Sequence, residues 1–289
     1  MDRIEGSSPR HRSALAGLLI FGFALASGCT GVLQNLGARW VTGKIAAVFD
    51  LDDEQRMATR AAVDRTIASA PEVLGPRLEL LVATVDRALA KGMTEKKVLV
   101  IERQVDILMD KAVSWILDEA APILATLSDE QIDHAERELD ERLQETRDEL
   151  NAPEEERLQS RQEKFIEAIE KWSGRLSDAQ EKQIRSFVVS MPDEAPDRLR
   201  ADEKRLAAIA DRMRNHPGAP VIRDLLWTAW TQREDWGPGT RSAEERRADG
   251  RKTLLFVFDL LDSKQRDHMS ERLHELHEMV KRVMGMDEA

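Results

Sequence analysis

The sequence predicts an all-α protein, a multi-helix bundle with a long antiparallel helical hairpin and no β-sheet. Three observations predict it. Charged residues make up 34% of the chain and aromatic residues 4%, with no tyrosine. With Ala, Leu, Glu, Arg and Asp abundant, this is a composition of helix formers, poor in β-branched and aromatic runs. Apolar residues recur at three- and four-residue spacing along the chain, so each segment has one face to bury; a disordered chain lacks that pattern. Helix starts also recur: Leu-[Asp/Ser]-x-x-Gln stands at 51–55, 127–131, 176–180 and 261–265. In each, a Ser or Asp caps the first turn while a Gln three residues later reaches back to the cap backbone.

Residues 1–12 carry Arg3, Arg10 and Arg12 against Asp2 and Glu5, and residues 14–26 form an apolar run. This is the anatomy of a signal peptide, and the run is shorter than the roughly 20 apolar residues of a spanning helix. Ala26, Ser27 and Gly28 stand directly before Cys29, the single cysteine of the chain. Together these residues resemble a bacterial lipobox. The resemblance implies cleavage between Gly28 and Cys29, a diacylglyceryl group on the Cys29 sulfur and an acyl group such as palmitate on the new amino terminus. An ordinary secretory signal and an uncleaved anchor are the competing readings. One acyl chain holds a protein marginally and two or more hold it stably. Thr30 follows the Cys where an inner-membrane retention signal has Asp, so the resemblance implies the periplasmic face of the outer membrane in a Gram-negative envelope. A lone cysteine forms no internal disulfide.

Removal of residues 1–28 takes away three arginines and two acids and leaves 261 residues of net charge −12. Such an acidic balance argues against nucleic acid as a partner. The remainder, 29–289, is expected to be a single elongated all-helical domain. Its N-terminal helices cover 32–126, the hairpin 128–173 and the C-terminal helices 177–284.

In order, a first helix over 32–49 carries Leu33, Leu36, Trp40, Ile45 and Val48 as its apolar stripe. Its charges are Arg39 and Lys44, so it suits either a membrane interface or the core. Leu51, Asp52 and Gln55 open the next helix, which Pro71 and Pro76 are expected to break. Helices follow at 77–91 and 95–126, parted by Gly92 and capped by Thr94. The second is the candidate buried central helix, through Val98, Ile101, Val105, Leu108, Val113, Ile116, Leu117 and Ile123, with a kink at Pro122.

Leu127, Ser128 and Gln131 open a helix with the narrow stripe Ile132, Ala135, Leu139, Leu143 and Leu150. The turn 151–153 leads to another helix, bearing Leu158, Phe165, Ile166, Ile169 and Trp172. The short turn predicts antiparallel neighbours, read as a protruding hairpin. Gly174 ends it, and Leu176, Ser177 and Gln180 open the next helix. Helices are placed at 196–215, 219–235 and 242–260, with loops at 216–220 and 236–240. Residues 254–258 have strand propensity but no second run to pair with, so they are assigned to helix. Leu261, Asp262 and Gln265 open the last helix, which runs to Met284.

The unequal separations of the four motifs, 76, 49 and 85 residues, argue against a solenoid. Capping alone accounts for their residue types. The order of pieces nevertheless resembles an uncharacterised, domain-of-unknown-function family of Gram-negative envelope lipoproteins. The resemblance is carried by Cys29, the segments 49–55 and 127–131, the Pro-Glu-Glu-Glu-Arg segment 153–157, and Trp172-Ser173-Gly174-Arg175-Leu176-Ser177-Asp178-Ala179-Gln180. It implies no particular activity. The motifs are also similar to the Leu-Thr-x-x-Gln elements of Spy-type periplasmic chaperones.

No catalytic set, metal site or cofactor is expected. His274 and His277 lie three apart, with His268 upstream, which is not the His-Glu-x-x-His arrangement of a metalloprotease; a solvated terminal helix suits them. The sequence has no Gly-x-Ser-x-Gly elbow and no phosphate-binding glycine loop. The charged runs 136–149 and 241–252 are read as solvated faces. Trp227 and Trp230 share a helix face, and Trp236 is a candidate contact residue. The leading expectation is a non-enzymatic, lipid-anchored envelope protein that contacts another protein. A chaperone-like holdase and a cell-wall hydrolase or lyase are the alternatives.

Overall fold

The computed structural model describes residues 30–232, 241–284 and 286. The signal segment 1–28, with Gly28, the anchor residue Cys29 and Trp236 all lie outside the described residues. Ten helices follow one another, and no strand occurs among the described residues: α1 (Thr30–Phe49), α2 (Asp53–Lys91), α3 (Glu95–Leu124), α4 (Asp129–Asn151), α5 (Glu154–Ser173), α6 (Asp178–Ser190), α7 (Ala195–Met213), α8 (Ala219–Thr231), α9 (Ala243–Leu260) and α10 (Ser263–Met284). The all-α expectation holds, including the helical state of residues 254–258. No described helix is long and apolar enough to cross a membrane.

Three apolar clusters organise the packing. The first joins Ala46 and Leu51 to Ala121, Leu127, Ile132, Met213 and Ile222, from α1, α3, α4, α7, α8 and two helix-start loops. The second joins Ile166 and Ile169 to Leu176, Ile184, Val188 and Leu261, from α5, α6 and the start of α10. Phe187 and Phe256 stack beside it at 4.0 Å between ring centroids. The third joins Leu78, Leu81 and Val82 of α2 to Leu108 of α3 and Met284 of α10. It ties the first half of the chain to the second.

Four expectations are corrected. Pro71 and Pro76 lie inside α2, which runs unbroken for 39 residues. Each proline follows a small buried residue, Ala70 or Gly75, which eases the clash of the ring with the preceding backbone. The packing of α2 along α3 and α10 offsets the lost hydrogen bonds, so tertiary contact overrides the local preference. Second, α3 is not buried all round. It packs on α2, α8 and α9, but Leu99, Val100, Ile107 and Ile116 remain exposed.

Third, α4 and α5 meet at the expected turn but do not form a free-standing arm. α4 lies on α7 and α1, whereas α5 lies on α6 and α10. The narrow apolar stripe of each helix is thus used against a partner distant in sequence. Between the two arms run polar bridges near the turn: Lys164 to Glu149 at 3.1 Å and an Arg157 donor to the Leu150 carbonyl at 2.9 Å. Fourth, α10 is not a solvated terminal helix. It packs along α2 and buries His277. In α1, Ala38 and Ala46 take the buried face and Trp40 is 49% exposed.

Gly174, the C-cap of α5, has φ 75° and ψ −169°, a region open essentially to glycine. Gly174→Ala is therefore expected to cost about 1–3 kcal/mol, read as a lower denaturant midpoint. Unchanged stability would mean that the turn relaxes without cost.

Candidate functional site

The four Leu-[Asp/Ser]-x-x-Gln elements each form the local structure that their residue types dictate, and then do something more. At Asp52, the Gln55 amide nitrogen of the backbone donates to Asp52 Oδ1 at 2.8 Å, and the Asp52 N–H donates to Gln55 Oε1 at 3.1 Å. Ser128 with Gln131, and Ser177 with Gln180, close the same box, as do Asp262 and Gln265. Two orphan donors at each helix start are thereby satisfied. The leading leucines, Leu51, Leu127, Leu176 and Leu261, are all buried. Leu127 joins Ile132 in one cluster, as a hydrophobic staple does.

The capping box uses only the oxygen of each glutamine. The two N–H groups of the side-chain amide remain, and they pair the motifs. Gln55 Nε2 donates to the Thr126 carbonyl at 3.0 Å, and Gln131 Nε2 donates to the Asp50 carbonyl at 2.9 Å. The two side chains also bond each other, at 3.0 and 2.6 Å. The third and fourth motifs repeat the arrangement: Gln180 Nε2 donates to the Leu260 carbonyl at 2.9 Å, Gln265 Nε2 to the Arg175 carbonyl at 3.0 Å, and Gln180 Nε2 to Gln265 Oε1 at 2.7 Å. In every case the acceptor carbonyl belongs to the residue just before the partner motif's leucine. Each pair is thus a reciprocal clasp, one holding the 51–55 and 127–131 loops together and the other the 176–180 and 261–265 loops. Gln55 and Gln265 are buried, so the bonds are shielded from water.

Asp50 completes the first clasp. It has φ 46°, the left-handed value of a helix C-terminal residue, and the Leu51 N–H donates to the Ala46 carbonyl at 3.1 Å in a Schellman pattern. A fifth capping box, Ser242 with Glu245, has the same local bonds. A carboxylate cannot donate, and Glu245 Oε2 only accepts, from the Ser242 N–H at 2.7 Å and the Ser242 hydroxyl at 2.8 Å. The contrast explains the glutamine in the other four. The sequence reading found the caps and missed the pairing. The signal was present in the unspent amide protons of four buried-side glutamines, which a capping box leaves without acceptors.

The other sequence candidates resolve differently. Trp230 Nε1 donates to Asp110 at 2.8 Å, tying α8 to α3, and Trp227 is half-buried. His274 lies 3.2 Å from Asp86 and His277 3.2 Å from Glu79, both on α2. His268 sits beside Gly174. The histidines therefore diverge to separate partners, and no group of three or more metal-ligating residues gathers among the described residues.

Charge is organised into bridges within and between helices. Arg147 reaches Asp140 and Glu203, Arg214 reaches Asp133 and Glu136, Arg223 reaches Asp118, and Arg251 reaches Glu102 and Glu244. Hydrogen bonding to Arg147 lowers the pKa of Asp140, and bonding to Arg241 lowers that of Asp249. The backbone and hydroxyl of Ser242 do the same for Glu245. A carboxylate depressed in the folded state stabilises the fold above its unfolded pKa, and that contribution is lost as pH falls through the folded value. Thermal stability is therefore expected to hold at neutral pH and to decline below about pH 4. Glu245→Gln, which keeps the cap and removes a titration, should make the decline shallower. A variant curve parallel to that of the wild type would rule out this contribution.

Comparison with known proteins adds one finding. The family of unknown function DUF6279 matches residues 48–236, which includes the first clasp whole and the third motif. No curated protein and no solved structure matches the chain.

Proposed function

The chain belongs to DUF6279, and we propose that it is a lipid-anchored protein of the bacterial cell envelope, held through Cys29, with a non-enzymatic scaffold role towards another envelope protein. The observation that supports this reading best is how the polar side chains are used. Glutamines are committed to clasps, and arginines hold carboxylates such as Asp140 and Asp249 ionised. Such groups fix a shape and present charge; they are not poised to move protons. α1 begins at Thr30, directly after Cys29, so an acylated Cys29 would seat the body against the bilayer with no linker between.

The test compares wild type with Cys29→Ala for incorporation of a labelled fatty acid, for membrane fractionation and for crosslinking in intact envelopes. The expected result is label, membrane retention and a discrete crosslinked partner for the wild type, with label and retention lost in the variant. Unlabelled wild type would overturn the anchor, and the absence of any crosslinked partner would overturn the scaffold.

A holdase role is the second reading. The exposed Leu99, Val100 and Ile107 follow one another along α3, offering an apolar strip to an unfolded client. Failure of the purified protein to slow aggregation of such a client at equal concentration would remove this reading.

A further inference from the structure

We propose that the cleft between α1 and α2 binds the phosphate of an anionic phospholipid headgroup. The cleft has a volume of about 640 Å³, within the range of small-ligand sites. Its walls carry three guanidinium groups, Arg39 from α1 and Arg56 and Arg60 from α2. Gly43, Ala46 and Ala47 form an open floor, and Thr42 lines the side. This is a concentration of positive charge in a chain whose net charge is −11, and no carboxylate lines the cleft among the described residues. Arg60 is paired with Asp64 at 2.9 Å. Neither Arg39 nor Arg56 forms an ion pair among the described residues, although arginines elsewhere bridge helices. Guanidinium forks match the oxygens of a phosphate in paired hydrogen bonds.

One hydroxyl of the cleft points independently to a missing partner. Thr42 Oγ1 is buried without any hydrogen-bond partner. A helical threonine usually bonds a carbonyl one turn back, as Thr84 does to Leu80 at 2.7 Å and Thr253 to Asp249 at 2.8 Å. Thr42 lies in the cleft wall on the same helix as Arg39. A buried donor left unmade is costly, and an anion with several acceptor oxygens satisfies it.

A lipid rather than a free phosphate is favoured by what adjoins the charge. Trp40, next to Arg39, is 49% exposed, and Met57, next to Arg56, is 68% exposed. Lys44 Nζ stands 5.9 Å from the centre of the Trp40 ring. Exposed apolar side chains beside cations suit the boundary between headgroup and acyl chain. At about 1.5 Å per residue, the cleft opens roughly 13–25 Å along α1 from the residue that follows Cys29. The choice of a lipid source rests on the membrane-anchored reading above; recognition of phosphate does not.

The test titrates the purified chain in nonionic detergent with dihexanoyl-phosphatidylglycerol, dihexanoyl-phosphatidylcholine, glycerol 3-phosphate and inorganic phosphate, followed by calorimetry. Phosphatidylglycerol is expected to bind at least about tenfold more tightly than the other three. Gly43→Leu and the double variant Arg39→Gln, Arg56→Gln should each weaken it by about tenfold or more. A Cβ at Gly43 meets nothing within 4 Å, so a side chain can enter the cleft from this position, and the thermal midpoint of Gly43→Leu should match or exceed that of the wild type. Equal binding by both variants, or no binding by any probe, would overturn the site. Binding of inorganic phosphate or glycerol 3-phosphate as tight as that of phosphatidylglycerol would overturn the lipid assignment. None of these outcomes depends on whether Cys29 is acylated, which the labelling experiment reads by itself.

Discussion

Gln55→Leu is expected to destabilise the protein by about 2–4 kcal/mol. Leucine has nearly the same size and would sit well in a buried site, so the loss is polar. The substitution leaves the Asp52 N–H, the Thr126 carbonyl and one side of the Gln131 amide without partners. Each buried group so stranded costs about 1–3 kcal/mol, more than a typical intact bond contributes. The reciprocal geometry makes a sharper statement. Gln131→Leu strands the Ser128 N–H and the Asp50 carbonyl, but in the double variant neither amide is left facing an absent partner. The double variant should therefore be less destabilised than the sum of the singles, by about 1–2 kcal/mol. Gln55→Leu combined with Gln265→Leu, one from each clasp, should add within about 0.5 kcal/mol. Denaturant unfolding of the three single variants and these two doubles checks both. Simple additivity within a pair would show that the glutamines act only as caps.

Ile184→Ala is expected to cost about 2–5 kcal/mol. Ile184 has no exposed surface and is packed among Ile166, Ile169, Leu176, Val188 and Leu261. Deleting its three outer carbons removes buried apolar surface and leaves a cavity that helices on every side resist closing. Ile222→Ala should cost a similar amount in the other clasp's cluster, beside Leu51, Leu127 and Met213. Native-state hydrogen exchange tells the two apart. Ile184→Ala should speed the amides of α5 and α6 more than those of α4 and α7, and Ile222→Ala should do the reverse. Equal acceleration throughout both halves would show one indivisible core.

Much of the fold could be read from the chain because its helix starts are local devices. Ser128, Ser177, Asp52 and Asp262 cap where their spacing to glutamine says they must. Residues 254–258 went to helix because no second strand was available. The misplacements have a common cause, in that they depend on what a segment meets. Pro71 and Pro76 end a helix that stands alone, and α2 has α3 and α10 to lie on. The stripe of α4 looked narrow enough for a hairpin partner and was taken by α7 and α1. Ile116 belonged to the apolar count of α3 and faces outward. The clasps are the clearest case. The Leu-[Asp/Ser]-x-x-Gln residues were all identified, yet nothing in one motif states that its amide protons will meet the loop of another 76 or 85 residues away. The cleft of α1 and α2 likewise needs Arg39 and Arg56 to line one space, which spacing alone does not reveal.

The positions of the clasp partners along the chain also set an order of assembly. The first clasp needs nothing beyond Gln131, whereas the second needs Gln265, in the first turn of α10. Closing loops of 76 and 85 residues differs in entropic cost by only about 0.1 kcal/mol. Neither clasp is therefore favoured by chain length, and the order is decided by which residues are available. A chain emerging from its amino-terminal end has every member of the first clasp once Gln131 is made, and must wait a further 134 residues for Gln265. The third apolar cluster, where Met284 of α10 meets Leu78, Leu81 and Val82 of α2, is then closed last, bringing the latest helix against one of the earliest. A chain cut short after α9 would keep the first clasp and lose both the second clasp and that closing contact, and the long helix α2 would be left with one flank bare.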